Sequence, residues 1–383
     1  MPDAHALLSP SSAHRWLNCT PSPRLEENFP DDSSDYAREG TLAHAYCAKW
    51  LKEYLHQPTD DEQREIEEYA DYHTGEMTEH VETYATLVIE KYNAALQRTS
   101  DAKLLVEVRL DFSQFIPESF GTSDAIIIAD DEMEVIDFKY GKGIKVSAKE
   151  NPQMMIYAMG AYNAYSDEYN IKKVRMTIVQ PRLESLSEFD ISVKDLKKWC
   201  KKTLQPRARA AFDGKGEYTP GDWCRFCKAK GRCRALAKKS IETSSRFENL
   251  DLISDDEIAH DVLPSLPIIR TWLDAVESFA LQRALQGATL DGWKVVAGRS
   301  IRKIVNPDAV MATLDEQGFR ADDYLKPSEL RSIGDLERLV GKKRFAELCG
   351  SFIEKPQGKP TLVTIDDKRE AYNPAAADFQ DFV

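Results

Sequence analysis

The chain has 383 residues, 42% hydrophobic and 30% charged, and its 64 acidic against 51 basic side chains leave a formal charge of minus 13. This composition excludes a disordered or fibrous protein, no apolar run approaches the ~18 residues of a membrane helix, and the opening MPDAHALLSPSSAHRW lacks the basic start and apolar stretch of a signal peptide. The length predicts two domains, and a cytoplasmic chain is expected to keep its seven cysteines as reduced thiols or metal ligands.

Residues 1–25 carry polar turn signals around Ser9, Ser11 and Ser12, then a short helix, AHRWLNC, ending near Cys19. Residues 38–56 set Leu42, Ala45, Tyr46, Trp50 and Leu51 at helical spacing. Beyond Pro58, residues 61–97 read as one long acidic helix burying Ile66, Tyr84 and Val88 among others, with Gly75 as a point of interruption. Between Glu26 and Glu90 stand 18 acidic residues against four basic ones, so the remainder of the chain is close to neutral. This stretch is expected to be a solvated face turned away from any polyanion, or a partner surface that limits non-specific binding.

The period then changes. Residues 104–111, 124–129 and 133–138 are short β-branched runs divided by Gly or Asp turns, as in a strand meander. A helix from Pro152 to Tyr165, a strand over 173–180 and a helix from Val193 to Phe212 follow, which predicts an α/β core with a mixed sheet flanked by helices. From Cys200 to Lys239 the charge reverses, with twelve basic residues against three acidic ones. Minus 13 taken alone argues against a nucleic-acid partner; so polarised a distribution leaves that question open. The core, residues 1–240, is expected to be followed by a C-terminal accessory region of α-rich α+β character over 241–372. There the sequence predicts two helices joined near Pro264–Pro267, a strand at DGWKVVAG and two helical segments within 307–350. Residues 373–383 read as a flexible tail.

Chemistry is concentrated in GTSDAIIIADDEMEVIDFKYGKG, residues 121–143. Asp124 heads one strand, while Asp137 and Lys139, two apart on the next, point to one face and towards it. Two converging carboxylates make a hard oxygen site for Mg²⁺ or Mn²⁺, and a lysine beside them steadies phosphoryl charge or an attacking water. An isolated D-x-K in a hairpin is more often an exposed salt bridge. Here it has company: His44 follows Gly40 in G-x-x-x-H on a predicted helix, and Gln153 and Tyr157 lie i and i+4 on another.

In this order and spacing, Gly40/His44, Gly121-x-x-Asp124, Asp137-x-Lys139 and Gln153-x-x-x-Tyr157 resemble the motif series of the RecB-type branch of the PD-(D/E)xK nucleases. The resemblance covers about residues 10–240 and implies a restriction-endonuclease-like core that hydrolyses DNA phosphodiesters with a metal. It carries over His44, Asp124 and Asp137 as metal ligands and Lys139 as the catalytic lysine, with Gln153 and Tyr157 orienting the site and contacting DNA. Glu107, in the preceding strand, is expected to support the ligands from behind.

The second signal is Trp223-Cys224-Arg-Phe-Cys227-Lys-Ala-Lys-Gly-Arg-Cys233. C-x2-C-x5-C brings three thiols into one loop, one short of closing a metal or cluster site, and Cys19 is well placed to be the distant fourth. RecB-type nucleases with an iron–sulfur cluster, such as the AddB-like proteins and the CRISPR adaptation nucleases, show one early cysteine and a late triplet of this kind. The resemblance therefore implies a [4Fe-4S] cluster on Cys19, Cys224, Cys227 and Cys233 that staples the chain's start to the end of the core. A structural Zn²⁺ in the same thiolates is the competing reading, and spacing alone does not separate the two. Cys47, Cys200 and Cys349 are expected as ordinary buried residues.

Arg225, Lys228, Lys230, Arg232 and Arg234, with Trp223 and Phe226 among them, read either as a DNA-tracking surface or as a solvated loop offsetting thiolate charge. Lys142, Lys145 and Lys149 follow the catalytic strand and are better placed to meet a phosphate backbone. The functional expectation is a Mg²⁺- or Mn²⁺-dependent deoxyribonuclease, acting as an exonuclease on DNA ends or single strands. The resemblance extends loosely to uncharacterised phage and prophage proteins, which implies DNA recombination, replication or repair in the cytoplasm of a bacterial host cell. The alternative is a catalytically silent DNA-binding recombination accessory protein with a structural metal clamp; an RNA-directed nuclease is a third reading. The C-terminal region is expected to bind DNA, a replication or recombination protein, or another copy of the chain. Its end, DFQDFV, mixes acids and phenylalanines in the manner of docking tails, against the plain reading of a disordered end.

Overall fold

The computed structural model describes residues 6–30, 35–244, 255–298, 303–326, 329–330, 333–354, 358–364 and 370–372, so the proposed tail at 373–383 lies outside the described residues. The chain divides into two compact units, Met1–Trp272 and Leu273–Val383.

The first unit opens with α1 (Ala13–Asn18) and α2 (Ser22–Glu26), then α3 (Asp35–Tyr54), α4 (Asp60–Glu68) and α5 (Gly75–Arg98). The long acidic helix expected over 61–97 is thus two helices. A 3₁₀ turn at Ala70–Tyr72 and an extended Thr74 separate them, and Gly75, the weakest helix former in the stretch, begins α5. The break lets α4 fold back against α3, burying Ile66 with Leu42, Leu51 and Val81.

The sheet has five strands in sequential order: β1 (Lys103–Asp111), β2 (Phe120–Ala129), β3 (Glu132–Phe138), β4 (Lys173–Gln180) and β5 (Ser185–Ser192). All neighbours are antiparallel except β3 and β4, which are parallel and joined through α6 (Pro152–Tyr165), as a parallel pair requires. The β2–β3 hairpin turns on two residues, with Asp130 at φ 54°, a left-handed conformation that Asp tolerates. Both faces of the sheet are buried: Ile126 and Ile128 face a core with α6, while Ala125, Ile127 and Ala129 face a core with α3 and α5. A buried central strand needs apolar residues on both faces, which is why β2 reads as a continuous apolar run.

β5 is absent from the sequence reading. Its inward residues are Ser185, Ser187, Phe189 and Ile191 and its outward ones Leu186, Glu188, Asp190 and Ser192, so apolar residues fall on both faces and the period-2 signal rests on two inward hydrophobic positions at an edge. α6 is buried from Met154 to Ala161, and a Cβ at Gly160 would come within 2.3 Å of Phe112, so only glycine permits this approach to the β1–β2 connection. α7 (Val193–Trp199) runs through a π turn at Cys200–Leu204 into α8 (Gln205–Phe212); the widened turn precedes Pro206, whose missing N–H interrupts the ladder. α9 (Arg234–Ser244) follows the cysteine loop.

The same device recurs where two helices joined near Pro264–Pro267 were expected: α10 (Asp255–Glu257), a π turn at Ile258–Val262 and α11 (Leu263–Leu285) follow without a gap, the prolines lying inside α11. In the second unit β6 (Trp293–Gly298), the expected strand, pairs with β11 (Gly358–Thr364), β7 (Lys303–Ile304) with β10 (Ile353–Glu354), and β8 (Leu325–Lys326) with β9 (Glu329–Leu330). Four helices, α12 (Pro307–Glu316), α13 (Ala321–Tyr324), α14 (Ile333–Val340) and α15 (Lys342–Cys349), enclose Val310, Leu314, Tyr324, Leu336, Phe345 and Cys349. Cys349, like Cys47 and Cys200, is a core residue. No described helix is long and apolar enough to cross a membrane.

Candidate active site and cysteine cavity

The motif residues meet where the middle of β2 lies beside the end of β3; Asp124, expected at the head of its strand, stands inside β2, which begins at Phe120. Leu42, Ala43, Ala45 and Cys47 seat α3 in the core, which leaves His44 facing the strand ends, its ring edge-on to Phe138 at 5.2 Å. His44 Nδ1 is 3.2 Å from Asp124 Oδ1, and Asp124 Oδ2 accepts the Phe138 backbone N–H at 2.7 Å. Lys139 Nζ lies 3.0 Å from Asp137 Oδ2 and donates to Gln153 Oε1 at 3.0 Å, while Gln153 Nε2 donates to Asp137 Oδ1 at 3.0 Å. The three side chains form a closed ring of polar contacts.

Helix capping explains why Gln153 points there. The Asn151 side chain accepts the N–H groups of Gln153 and Met154, and Pro152 takes the first helical position, so the start of α6 is fixed. Tyr157, one turn on, is buried and hydrogen-bonds Gln153. His44, Asp124, Asp137, Lys139, Gln153 and Tyr157 are therefore brought together.

Glu107 comes closer than expected. One ligating atom each from His44, Glu107 and Asp124 lie within 4.8 Å of one another, the arrangement among the described residues able to hold a metal ion. Asp137, read as a ligand with His44 and Asp124, is outside this group and engaged by Lys139 and Gln153. Glu107 has φ 52° in mid-strand. The inside–outside alternation of β1 slips there, with Leu105 and Val108 packing on the same core although three residues apart, a reversal that regular strand geometry forbids.

A cleft of about 590 Å³ opens on His44, Glu107 and Asp124. Asp61, Glu62 and Glu65 of α4 also line it. This part of the acidic stretch faces the site instead of turning away, because the break before α5 swings α4 back across α3. Glu62 is almost fully buried and paired with Lys52 Nζ at 2.5 Å.

The charges are interdependent. Burial disfavours a charged His44, but Asp124, Glu107 and Asp137 outweigh it and push the imidazole up to about 9. Burial and then the Asp124 charge raise Glu107 to about 8, with His44 opposing. Asp124 sits below the ordinary carboxylate range because His44, the Phe138 N–H and Lys139 together overcome its burial. Asp137 is raised by burial, which Lys139 only partly offsets. Packed carboxylates sharing so few cations suit a divalent ion.

The loop after β3 is pinned by a residue the sequence reading missed. Gln180, 2% exposed at the end of β4, donates to the carbonyls of Gly141 and Ile144 at 2.8 Å each and accepts the Val146 N–H at 3.1 Å. A polar residue closing an apolar strand, KVRMTIVQ, was its only sequence signal. Lys142, Lys145 and Lys149 are all exposed on this segment, Lys142 Nζ lying 4.0 Å from Glu76. Nearby, Arg182 lies over the Tyr140 ring and pairs with Glu39 Oε1 at 3.0 Å, tying the β4–β5 turn to α3.

Cys19, Cys224, Cys227 and Cys233 line a second, small cavity with Trp223 and Leu236, and no residue lines both cavities. Burial raises Cys19 and Cys224, and carries Cys227 up to about 12. Four thiols on one cavity are the soft donor set that zinc and iron–sulfur clusters take. Around it, Arg15 Nε is 2.9 Å from Glu26 Oε2, Glu26 Oε1 accepts the Lys228 N–H at 2.7 Å, and Arg15 Nη1 donates to the Phe226 carbonyl at 3.0 Å. Arg24 Nε donates to the Phe212 carbonyl at 2.7 Å and Thr20 Oγ1 to that of Lys215 at 2.6 Å. The start of the chain is thus clamped to the cysteine loop by protein contacts alone. Arg225 and Arg232 are exposed on that loop.

A family model described as "Protein of unknown function (DUF2800)" matches residues 5–370, and the chain belongs to that family. A solved structure titled "Crystal structure of SSO0001" is 14% identical, covering 58% of this chain and 96% of that one, with a TM-score of 0.24, too low to carry a comparison of the two folds.

Proposed function

We propose that this member of the DUF2800 family is a metal-dependent deoxyribonuclease of the PD-(D/E)xK type. The observation that carries the reading is the contact ring of Asp137, Lys139 and Gln153 beside the His44–Glu107–Asp124 group, at the mouth of an open cleft. Hard oxygen donors with one imidazole fit Mg²⁺ or Mn²⁺. His44, Asp124 and Glu107 would hold the ion, with Asp137 in reserve on the same face. The ion supplies Lewis acidity and an activated water.

The chain's own residues do the rest. Gln153 orients the Lys139 ammonium, and Lys139 neutralises charge on the phosphoryl oxygens as they become more negative. Tyr157 holds Gln153 in place, and Lys142, Lys145 and Lys149 meet the backbone of the strand.

Cys19, Cys224, Cys227 and Cys233 would hold a [4Fe-4S] cluster, whose part is to brace the clamp between the chain's start and the cysteine loop. Zn²⁺ on the same four thiolates is the competing reading. Iron with a broad absorbance near roughly 400 nm after anaerobic purification is the expected result; zinc without iron would reverse the assignment.

The test of hydrolysis is degradation of end-labelled single- and double-stranded DNA with Mn²⁺, with RNA of the same sequence alongside. Wild type degrades DNA and Lys139→Ala does not. Equal degradation by both sinks the reading; binding without cleavage by the wild type would instead point to an accessory protein.

A further inference from the structure

A third cavity, of about 400 Å³, lies between the outer face of α6 and the α7–α8 helix, within the ~300–1,000 Å³ typical of small-molecule sites. Phe115, Tyr162, Asn163, Lys197, Lys201 and Gln205 are among its walls, and it shares no residue with the catalytic cleft or the cysteine cavity. No carboxylate lines it. Of the carboxylates nearest in the chain, Asp167, next to the lining Ser166, is exposed, Glu168 pairs with Lys103 at 3.3 Å and Asp195 accepts the Ser192 hydroxyl at 2.6 Å. Residues 194–202 hold five lysines against that one aspartate, and all five are exposed.

A lysine-rich helix is ordinarily just a solvated face. What differs here is the chemistry at its foot. Lys197 is held in position by Tyr162, donating to its hydroxyl at 2.9 Å and lying 4.3 Å from its ring centroid, which uses one of three N–H donors. Lys201 stands one turn further on, two aromatic rings offer apolar walls, and the Asn163 and Gln205 amides offer a donor and an acceptor each. Cations for phosphate, rings for a π-face and amides for a base edge are the recognition set of a nucleotide in a single strand.

We propose that this cavity binds one nucleotide of a single-stranded nucleic acid, with its phosphates at Lys197 and Lys201 and its base among Phe115, Tyr162, Asn163 and Gln205. The site is a strand anchor separate from the catalytic cleft; it rests on the reading of the protein as acting on DNA, but not on hydrolysis.

The test is fluorescence anisotropy of a labelled single-stranded oligonucleotide with the full chain in EDTA over a range of salt. Lys197→Glu/Lys201→Glu is compared with Lys194→Glu/Lys198→Glu, which changes the same charge on the same helix outside the cavity lining. Each lost single-strand phosphate contact lowers the log–log salt slope by ~0.7. The first pair should therefore lose ~1.4 of slope and at least about tenfold in affinity, and the second much less. Equal effects from the two pairs, or none from the first, overturn the proposal. Thymidine monophosphate distinguishes the source: weak competition is expected, whereas tight mononucleotide binding with strand binding unaffected by the first pair also overturns it. Cleavage by the wild type with Mn²⁺ is scored separately, so failure of the nuclease reading and failure of this one are told apart.

Discussion

Glu107 lies opposite Asp124 across the β1–β2 ladder, between the Val106↔Ala125 and Val108↔Ser123 pairs, with a left-handed backbone at φ 52°. A non-glycine residue in that region costs roughly 1–2 kcal/mol, and here the cost accompanies a carboxylate within 4.8 Å of two other ligating groups. Glu107→Gly should relieve the backbone, leaving the metal-free thermal midpoint at or above that of the wild type, and weaken Mn²⁺ binding in calorimetry by about tenfold, ~1.4 kcal/mol. Mn²⁺ affinity equal to the wild type's would remove Glu107 from the metal site.

Gln180 has a different task, since its side chain hydrogen-bonds the loop after β3. Replacing it with leucine leaves the Gly141 and Ile144 carbonyls and the Val146 N–H without their partner, at about 1–3 kcal/mol. Hydrogen exchange at Val146 should accelerate, and DNA cleavage should lose apparent affinity more than turnover, because Lys142 and Lys145 are carried on that loop. Unchanged exchange at Val146 would refute the pinning role.

The pair Arg15–Glu26 is mostly withdrawn from water, with side chains 17% and 7% exposed. Removing one member of a buried pair leaves the other charge uncompensated, a loss of about 3–5 kcal/mol. Glu26→Ala should lower urea stability by about that amount and release the N-terminal segment from the cysteine loop, read as early proteolysis near Arg24. A variant that unfolds at the wild-type urea midpoint would show that the clamp is held elsewhere.

Acid stability offers a check on the sheet edge. Arg175 grips Asp190 through two bonds, Nε to Oδ1 at 2.8 Å and Nη2 to Oδ2 at 3.0 Å, and these hold the carboxyl down at about 2. With the folded value depressed, the stabilisation is present above the unfolded value of ~3.9 and is lost as pH falls from there towards 2. Asp190 is 41% exposed, so the effect is modest. Urea midpoints of wild type and Asp190→Asn should differ at pH 5 and converge near pH 2; a gap that persists undiminished at the acid end would contradict the assignment.

Local chemistry along the chain determined much of this protein. The apolar run Ala125–Ala129 is a strand buried on both faces, Asp137 and Lys139 share one face because side chains alternate, and Asn151-Pro152 starts α6 so that Gln153 and Tyr157 align. These follow from periods of 2 and 3.6 residues and from capping, which neighbouring residues set among themselves. Tertiary structure alone decided the rest. The left-handed turn at Glu107 lets Leu105 and Val108 pack on one core while Val106 packs on the other. Asp61, Glu62 and Glu65 line the cleft because α4 folds back on α3, and Gln180 reaches its loop because parallel pairing sets the end of β4 beside the end of β3. Such contacts join residues tens of positions apart, where no periodicity records which side chain will meet which.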